Sequence, residues 1–566
     1  MDAFKFDVAI IGAGLGGIAF ARFFLDTHPY ISLVTFEQDA FVGGVWSQTR
    51  VFDAFWTQSP LRMTAFSDRT LELPKGTPVA YDTFQAKHVT SYLEEYVDSH
   101  TYQGRSIRDR ILLNAQVSSI EKIAAGWTLR FKGKKNQTVT CSKLAVASGL
   151  TSIPIMPDFP LDSQWTAPMI HHRDFGAQSQ SILGTPAYKN ITVLGGGKSA
   201  ADMVYAAVKA NKHVSWIIRR SGEGPGIFVD PTPPDGYRNV VERGATHNAT
   251  ALSPSGFRPM QPWALELHQM PSKRDDLESK LFDGDRNFKD RANYRGRKNR
   301  LACFAELEPS TSFFWNNGPI GMVQHDDFWD IVSQKVFVYR TDPIRTTATS
   351  ILLEDRREVP TDALFCGTGW SSEYSFLSLS QIRELGLPHD RRSGSEKDLQ
   401  AWQPLIDAAD KQIISKYPIL ADSPGSTHLA KDDIVPARLY QGIVPLSDAS
   451  IIFLGRARMS NSFRGADAQA IWATAYWDGH IKLPPREQLR REVAYMNTFS
   501  KRRYPTRGVD GLNFHGDLVW CTDKLITEAG LFSHRKAWWR NGDEPCLADD
   551  MRDCKDEYLN KYGSIE

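Results

Sequence analysis

A chain of 566 residues with 41% hydrophobic content can bury a large core and divides by length into two or three globular units, which excludes a disordered or fibrous protein. Sixty-seven basic against sixty-six acidic residues leave a net charge of +1, so no overall field argues for nucleic acid or an anionic membrane as the main partner. No apolar run approaches the roughly 18 residues that span a bilayer, and the first residues lack the basic and apolar regions of a secretory signal, so the expectation is a cytoplasmic protein with no membrane and no nucleic-acid partner.

The first elements are the most informative. Residues 6–26, FDVAIIGAGLGGIAFARFFLD, read as a buried strand, a glycine turn and a helix, and SLVTFE at 32–37 reads as the next strand. Gly12, Gly14 and Gly17 stand at GxGxxG spacing: the first permits the tight turn, the second lets backbone N–H groups approach a pyrophosphate, and the third lets the helix pack on the sheet. Glu37, at the end of the following strand, is placed to accept hydrogen bonds from a ribose and to repel a 2'-phosphate, so this turn suits FAD or NAD rather than NADP. Glycine turns also occur for packing alone; strand, turn, helix and acid in this order are the more specific signal.

Further along, LAVASGL at 144–150 is an apolar strand ending in small residues. The opening plan then recurs at 190–220, NITVLGGGKSAADMVYAAVKANKHVSWIIRR, with Gly195, Gly197 and Ala200 in the three turn positions and Lys198, Ser199 and Asp202 beside them. Arg219 and Arg220 follow its second strand where the first unit has Glu37. Guanidinium groups there pair with a 2'-phosphate by charge-assisted bonds, which selects NADPH; the bland alternative is solvated surface charge. The string Gly197-Lys198-Ser199 ends like a P-loop, but Thr192 stands where that loop needs its first glycine.

Residues 222–315, rich in Pro, Gly and charge with weak periodicity, read as a long insertion around helices rather than as core. DALFCGTGW at 362–370 is a second strand ending in small residues, and 501–566, with Trp520, Trp538 and Trp539, reads as an extra C-terminal layer. The expected class is therefore α/β, with two Rossmann-like dinucleotide-binding domains, the NADPH domain inserted in the FAD domain: 1–150 and 346–500 for FAD, 151–345 for NADPH, and 501–566 as an extension. Six scattered cysteines form no CxxC pair, and neither they nor His171 and His172 show metal-ligand spacing, so no metal is expected. The sequons at Asn136, Asn190 and Asn248 are chance matches in a protein of this compartment.

Two dinucleotide turns fit a disulphide reductase or a flavoprotein monooxygenase, and the reductase needs a redox cysteine pair that this chain lacks. Several further strings keep the order of one family. Gly43-Gly44-Val45-Trp46 is similar to its GGxW segment beside the flavin, and Ala147-Ser148-Gly149 with Pro154 and Pro157 to its first crossing between domains. Trp165, Ala167, His171 and Phe175 stand at the spacing of its FxGxxxHxxxY fingerprint, with Trp and Ala in place of Phe and Gly. Gly367-Thr368-Gly369-Trp370 is similar to the second crossing, and FLGR at 453–456 with Gln469-Ala470 to the strand and helix that close the flavin site. From residue 6 to about 485 the chain thus resembles the flavin-containing monooxygenases, the class B enzymes that include N- and S-oxygenases and Baeyer–Villiger enzymes.

The resemblance implies FAD and NADPH as cofactors and a small organic substrate together with O2; the long irregular insertion points to a substrate of specialised-metabolite type. The reduced flavin forms a C4a-hydroperoxide and one oxygen atom is inserted. Val45, Trp46 and Gln469 join the two turns as expected cofactor contacts, and Gln58, in Thr57-Gln58-Ser59-Pro60 where the family often has Thr-Asn, is the candidate catalytic amide. His171 is read as a structural linker. A Baeyer–Villiger reaction on a ketone stays open as an alternative and needs a cation near the reacting oxygen, for which Arg62, Arg456 and Arg464 are candidates. Phe175-Gly176 departs from the usual end of that branch's fingerprint, which favours heteroatom or carbon oxygenation. A reductase or oxidase using FAD and NADPH without oxygen insertion is the rival class, and the oligomeric state is not specified by the sequence.

Overall fold

The computed structural model describes residues 4–563 apart from 134–136, 234–235, 258–261, 271, 274, 277–278, 280–287, 311, 316–317 and 425–432. Val8, Ala9 and Ile10 are fully buried because the strand Phe4–Ile11 lies inside a sheet covered on both faces. It pairs in parallel with Leu33–Phe36 on one side and with Gln137–Val146 on the other. That last strand serves two neighbours: Trp127–Phe131 runs antiparallel to its first half, and Ile451–Phe453 runs parallel to Leu144–Val146. Seven strands result, the last of them supplied by a segment far along the chain.

A second sheet of five parallel strands has the order Met169–His171, Ala363–Cys366, Asn190–Leu194, His213–Ile218, Val336–Arg340. Its helix Lys198–Lys209 buries Ala200, Met203, Val204 and Ala207 against it. Both sheets are thus mixed α/β layers with a glycine turn after a central strand, the doubly wound class expected from the sequence.

Two features depart from the reading of the sequence. The strand Ala363–Cys366 sits in the middle of the second sheet, and the meander Pro343–Thr346, Ser350–Leu353, Glu358–Pro360 packs on it through Ile351, Leu353 and Val359. The second unit therefore runs to Cys366 rather than ending at 345, because a central strand cannot be given up without exposing both its neighbours. The 222–315 segment, expected as insertion rather than core, buries Phe228, Tyr294, Phe304 and Leu307 in the same cluster as Trp216 and Val332. Weak periodicity hid this because the buried residues come from short separate pieces, the strand Ile227–Val229 and the helical turn Ala302–Leu307 among them.

The C-terminal extension also belongs to a core. Helix Leu518–Glu528 packs on helix Ser462–Trp477, and Cys521, Leu525, Met551 and Tyr558 join Phe23, Phe24 and Trp472 in the cluster behind the first glycine helix, Leu15–Thr27. A buried ion pair fixes these helices to each other: Arg22 donates to Asp467 at 2.9 Å, and the Ser67 N–H donates to the other carboxylate oxygen at 2.7 Å.

Candidate functional site

The first glycine turn is built by close approach. Gly12 has φ +104°, and a Cβ there would lie 2.4 Å from the carbonyl oxygen of Ala147; at Gly17 it would lie 2.0 Å from the oxygen of Gly12. At Gly14 the nearest atom to a Cβ is 3.7 Å away, so its outer face is open. That face looks onto a cleft of about 620 Å³, lined also by Glu37, Val45, Ser148, Arg50 and Gln469. The helix starting at Leu15 directs free N–H groups and its positive end into the cleft. An open glycine, a helix N-terminus and a carboxylate at the next strand end are the donor and acceptor set that a dinucleotide requires.

Glu37 is only 6% exposed, and both its oxygens are engaged: one accepts from the Ala13 N–H at 2.8 Å, the other from the Asp39 N–H at 2.9 Å. Burial raises its pKa, and the two backbone donors counter that shift. Gln469 accepts from the Gly455 N–H at 2.9 Å and so ties helix Ser462–Trp477 to the turn after Phe453. Val45 lines the cleft; Trp46 is not among the residues that line it, and its ring stacks on that of Phe55 at 5.5 Å between centroids.

The second turn repeats the steric logic. Gly195 has φ +131° and a Cβ there would meet the Gly367 oxygen at 2.2 Å; a Cβ on Gly367 would in turn lie 2.9 Å from that of Ala200. Each turn therefore presses on one of the two crossings, Ala147 in the first case and Gly367 in the second. Unlike the first, this turn is covered: the Gly226 N–H donates to the Gly196 oxygen at 2.7 Å, and Pro319 stands 3.4 Å from a Cβ on Gly197. Lys198 pairs with Asp202 one helical turn on, and Ser199 is half-buried beside them. Arg219 and Arg220 follow the strand His213–Ile218, half-buried and exposed, and neither is in an ion pair among the described residues.

Gln58 is not in the first cleft. Its side-chain oxygen accepts from the Met322 N–H at 2.9 Å, and a Cβ on Gly321 would lie 3.2 Å from that oxygen and 2.8 Å from the Lys198 Cβ. Gln324 donates to the Thr57 oxygen at 2.6 Å, so the segment 57–58 is bound to the strand Ile320–Met322 beside the second turn.

The two crossings are paired with each other, Ile153–Pro154 running antiparallel to Trp370–Ser371. Arg456, 2% exposed, donates to the Gly149 oxygen and to the Ser372 oxygen, both at 2.6 Å, and so holds both crossings. His171 accepts from the Arg173 N–H at 3.1 Å through Nδ1 and reaches the Gly369 oxygen at 3.0 Å through Nε2. Only the neutral tautomer with its proton on Nε2 makes both bonds, and burial lowers its pKa accordingly.

Sequence reading missed an ionic bridge at the mouth of the cleft. Asp39 accepts from Arg173 at 3.1 Å and from Arg50 at 3.5 Å, and Arg50 also donates to the Thr151 oxygen at 2.8 Å. Its members are far apart in sequence and each is unremarkable in its own segment; the one local hint is an acid two positions past the strand-end Glu37.

The profile of the pyridine nucleotide-disulphide oxidoreductases matches residues 6–226, a stretch that holds both glycine turns. The chain is 28% identical to an FAD-dependent monooxygenase of Pyrenophora dematioidea, over 94% of this chain and 99% of that one. It is also 28% identical to an FAD-dependent monooxygenase of Aspergillus nomiae, over 94% of each. A variant cyclohexanone monooxygenase of Rhodococcus sp. Phi1, bound to NADP+, shares the fold with a TM-score of 0.61 at 14% identity, over 93% of this chain and 98% of the other. By these likenesses the chain is similar to the flavin monooxygenases over most of its length. All six cysteines are free thiols.

Proposed function

We propose that the chain is an FAD- and NADPH-dependent monooxygenase that places one atom of O2 in a small organic substrate of specialised-metabolite type. One observation carries this reading: an acid-ended glycine turn opening on a cleft and an arginine-ended turn, each pressed against a crossing that joins the two sheets. Bound FAD, reduced by NADPH, supplies the activation of oxygen.

The chain's own residues bind and orient. Glu37 is held by two backbone donors so that its oxygens face the ribose of FAD, and the backbone around Gly14 takes the pyrophosphate. Arg219 and Arg220, whose guanidinium groups are in no ion pair among the described residues, take the 2'-phosphate of NADPH, with Gly195, Gly197, Ser199 and Ala200 forming the turn beneath it. Lys198 reaches that nucleotide by leaving Asp202, and Gln58 positions the strand Ile320–Met322 beside it.

Heteroatom or carbon oxygenation is preferred to attack on a ketone because the three arginines considered for the second route are engaged elsewhere. Arg62 is paired with Glu242, Arg456 holds the two crossings, and Arg464 is bound by Thr522, Asp523 and the Leu547 oxygen. The test is turnover of candidate amines, sulfides, ketones and activated carbons with NADPH under 18O2. One labelled atom per product is expected; oxidation of NADPH with label in no product, and all O2 recovered as H2O2, establishes the reductase or oxidase reading instead.

A further inference from the structure

We propose that His247, Asp523 and His534 form a binding site for a divalent transition metal of the Zn2+ type, which fastens the 222–315 segment to the C-terminal extension. Their ligand atoms all lie within 4.8 Å of one another. His247 stands on the short helix His247–Ala251, Asp523 on helix Leu518–Glu528, and His534 in the loop that follows. No local spacing links positions 247, 523 and 534, so only the fold brings them together.

Two imidazole nitrogens address one carboxylate oxygen. Nε2 of His247 is 2.7 Å from Oδ2 of Asp523 and Nε2 of His534 is 4.0 Å from the same atom, with the two rings stacked at 4.9 Å between centroids. Tetrahedral Zn–N and Zn–O bonds of about 2.0–2.1 Å set ligand atoms about 3.3 Å apart, between those two distances. The site therefore closes on an ion by small movements of opposite sense, His534 inward and His247 outward.

The surroundings match those of metal-bound histidines, whose second nitrogen is held by an acceptor so that the first keeps its lone pair. Nδ1 of His247 is 2.9 Å from the Asn541 oxygen and Nδ1 of His534 is 2.9 Å from the Ser533 hydroxyl. The other oxygen of Asp523 accepts from Arg464 at 3.2 Å, which orients the carboxylate, and Arg464 is itself 3.6 Å from Asp550, which offsets its charge. Two nitrogens and one carboxylate suit Zn2+ better than Ca2+ or Mg2+, which favour all-oxygen sets. Cys546 lies 3.6 Å from Nδ1, the far side of the His247 ring, and stands outside the ligand set. His534 is half exposed, which gives the ion a route in and leaves a coordination position for water.

Arg464 lies on helix Ser462–Trp477, whose Gly465, Ala466 and Gln469 line the cofactor cleft. A metal here would join the 222–315 segment, through Asp523 and Arg464, to that wall. The arrangement without a metal is a proton shared between His247 and Asp523, with His534 left to solvent.

The test uses the flavin-loaded full chain, equilibrated with Zn2+, dialysed against buffer and measured for metal content and for thermal midpoint. One tightly held Zn2+ per chain and a raised midpoint are expected. His534→Ala, a change at an exposed ring, should weaken Zn2+ binding at least about ten-fold and abolish the rise while leaving flavin content unchanged. His534→Asp, which restores a ligand atom, should recover part of both. Zn2+ content no higher in the natural chain than in His534→Ala, or a midpoint indifferent to Zn2+, overturns the proposal in favour of the shared proton.

Discussion

The two glycine turns were built to one steric plan and given opposite electrostatics. In each, a positive-φ glycine lets the chain pass within van der Waals distance of a crossing, Gly12 against Ala147 and Gly195 against Gly367. The first ends in a buried acid and opens on a cleft; the second ends in two arginines that form no ion pair among the described residues, and is roofed by Gly226 and Pro319. Under the proposed function, backbone geometry makes a place for a dinucleotide and the charge at the next strand end selects which one takes it. The comparison also separates two uses of glycine: Gly12 and Gly195 are required by the protein's own packing, whereas Gly14 is open toward a ligand.

The strongest way to break the comparison is to fill the turns. Gly12→Ala adds a Cβ at a strained φ and against a carbonyl, and should destabilise by about 3 kcal/mol or more with loss of bound flavin, read by absorbance after gel filtration. Gly195→Ala should cause similar strain yet leave flavin bound and raise the KM for NADPH. Flavin loss in both variants would show that the turns do not act separately.

Removing the arginines tests the electrostatic half. The double change Arg219→Ala, Arg220→Ala should raise the KM for NADPH roughly ten- to hundred-fold, the worth of one or two charge-assisted bonds, with little change for NADH. Equal loss with both nucleotides would place the 2'-phosphate elsewhere.

Acid probes the junction between the units. His172 is buried against Phe52 and Phe55, its Nε2 has no hydrogen-bond partner among the described residues, and burial pushes its pKa down to about 3. The unfolded chain takes up a proton near pH 6.5 and the folded chain does not, so the contribution of His172 is complete above that pH and lost as pH falls toward 3. By pH 5 this amounts to roughly 2 kcal/mol, and His172→Leu should flatten that part of a stability profile taken between pH 7 and 5.

Gln58→Ala gives the smallest effect. Losing its bond to Met322 should lower stability by about 1 kcal/mol and raise the KM for NADPH a few-fold with kcat nearly constant. A hundred-fold fall in kcat at unchanged stability would instead put the Gln58 amide at the reacting atoms.

Much of the fold was legible because its signals are local. A buried strand, a glycine turn and a helix fall within thirty or so residues, and the spacing survives in any context. The same holds for Glu37, Val45 and Gln469, which do line the cleft. What escaped notice depends on distant partners. Asp39, Arg50 and Arg173 meet only through the fold, and the stacking of Trp46 on Phe55 has no local signal either. The boundary at 345 failed because nothing in DALFCGTGW says which sheet its strand enters; pairing with Ile191–Leu194 decides that.

The strand Ile451–Phe453 has one further implication, for how the protein is made. Leu144–Val146 gains its second parallel neighbour only when this segment arrives, and helix Ser462–Trp477 with its Asp467 comes later still. While the ribosome is producing the second sheet, the nascent first sheet has a bare edge and Arg22 has no Asp467 to meet. The first unit is begun before the second and finished after it, so chaperone protection of that waiting edge matters more for this chain than for a protein whose units close in sequence order.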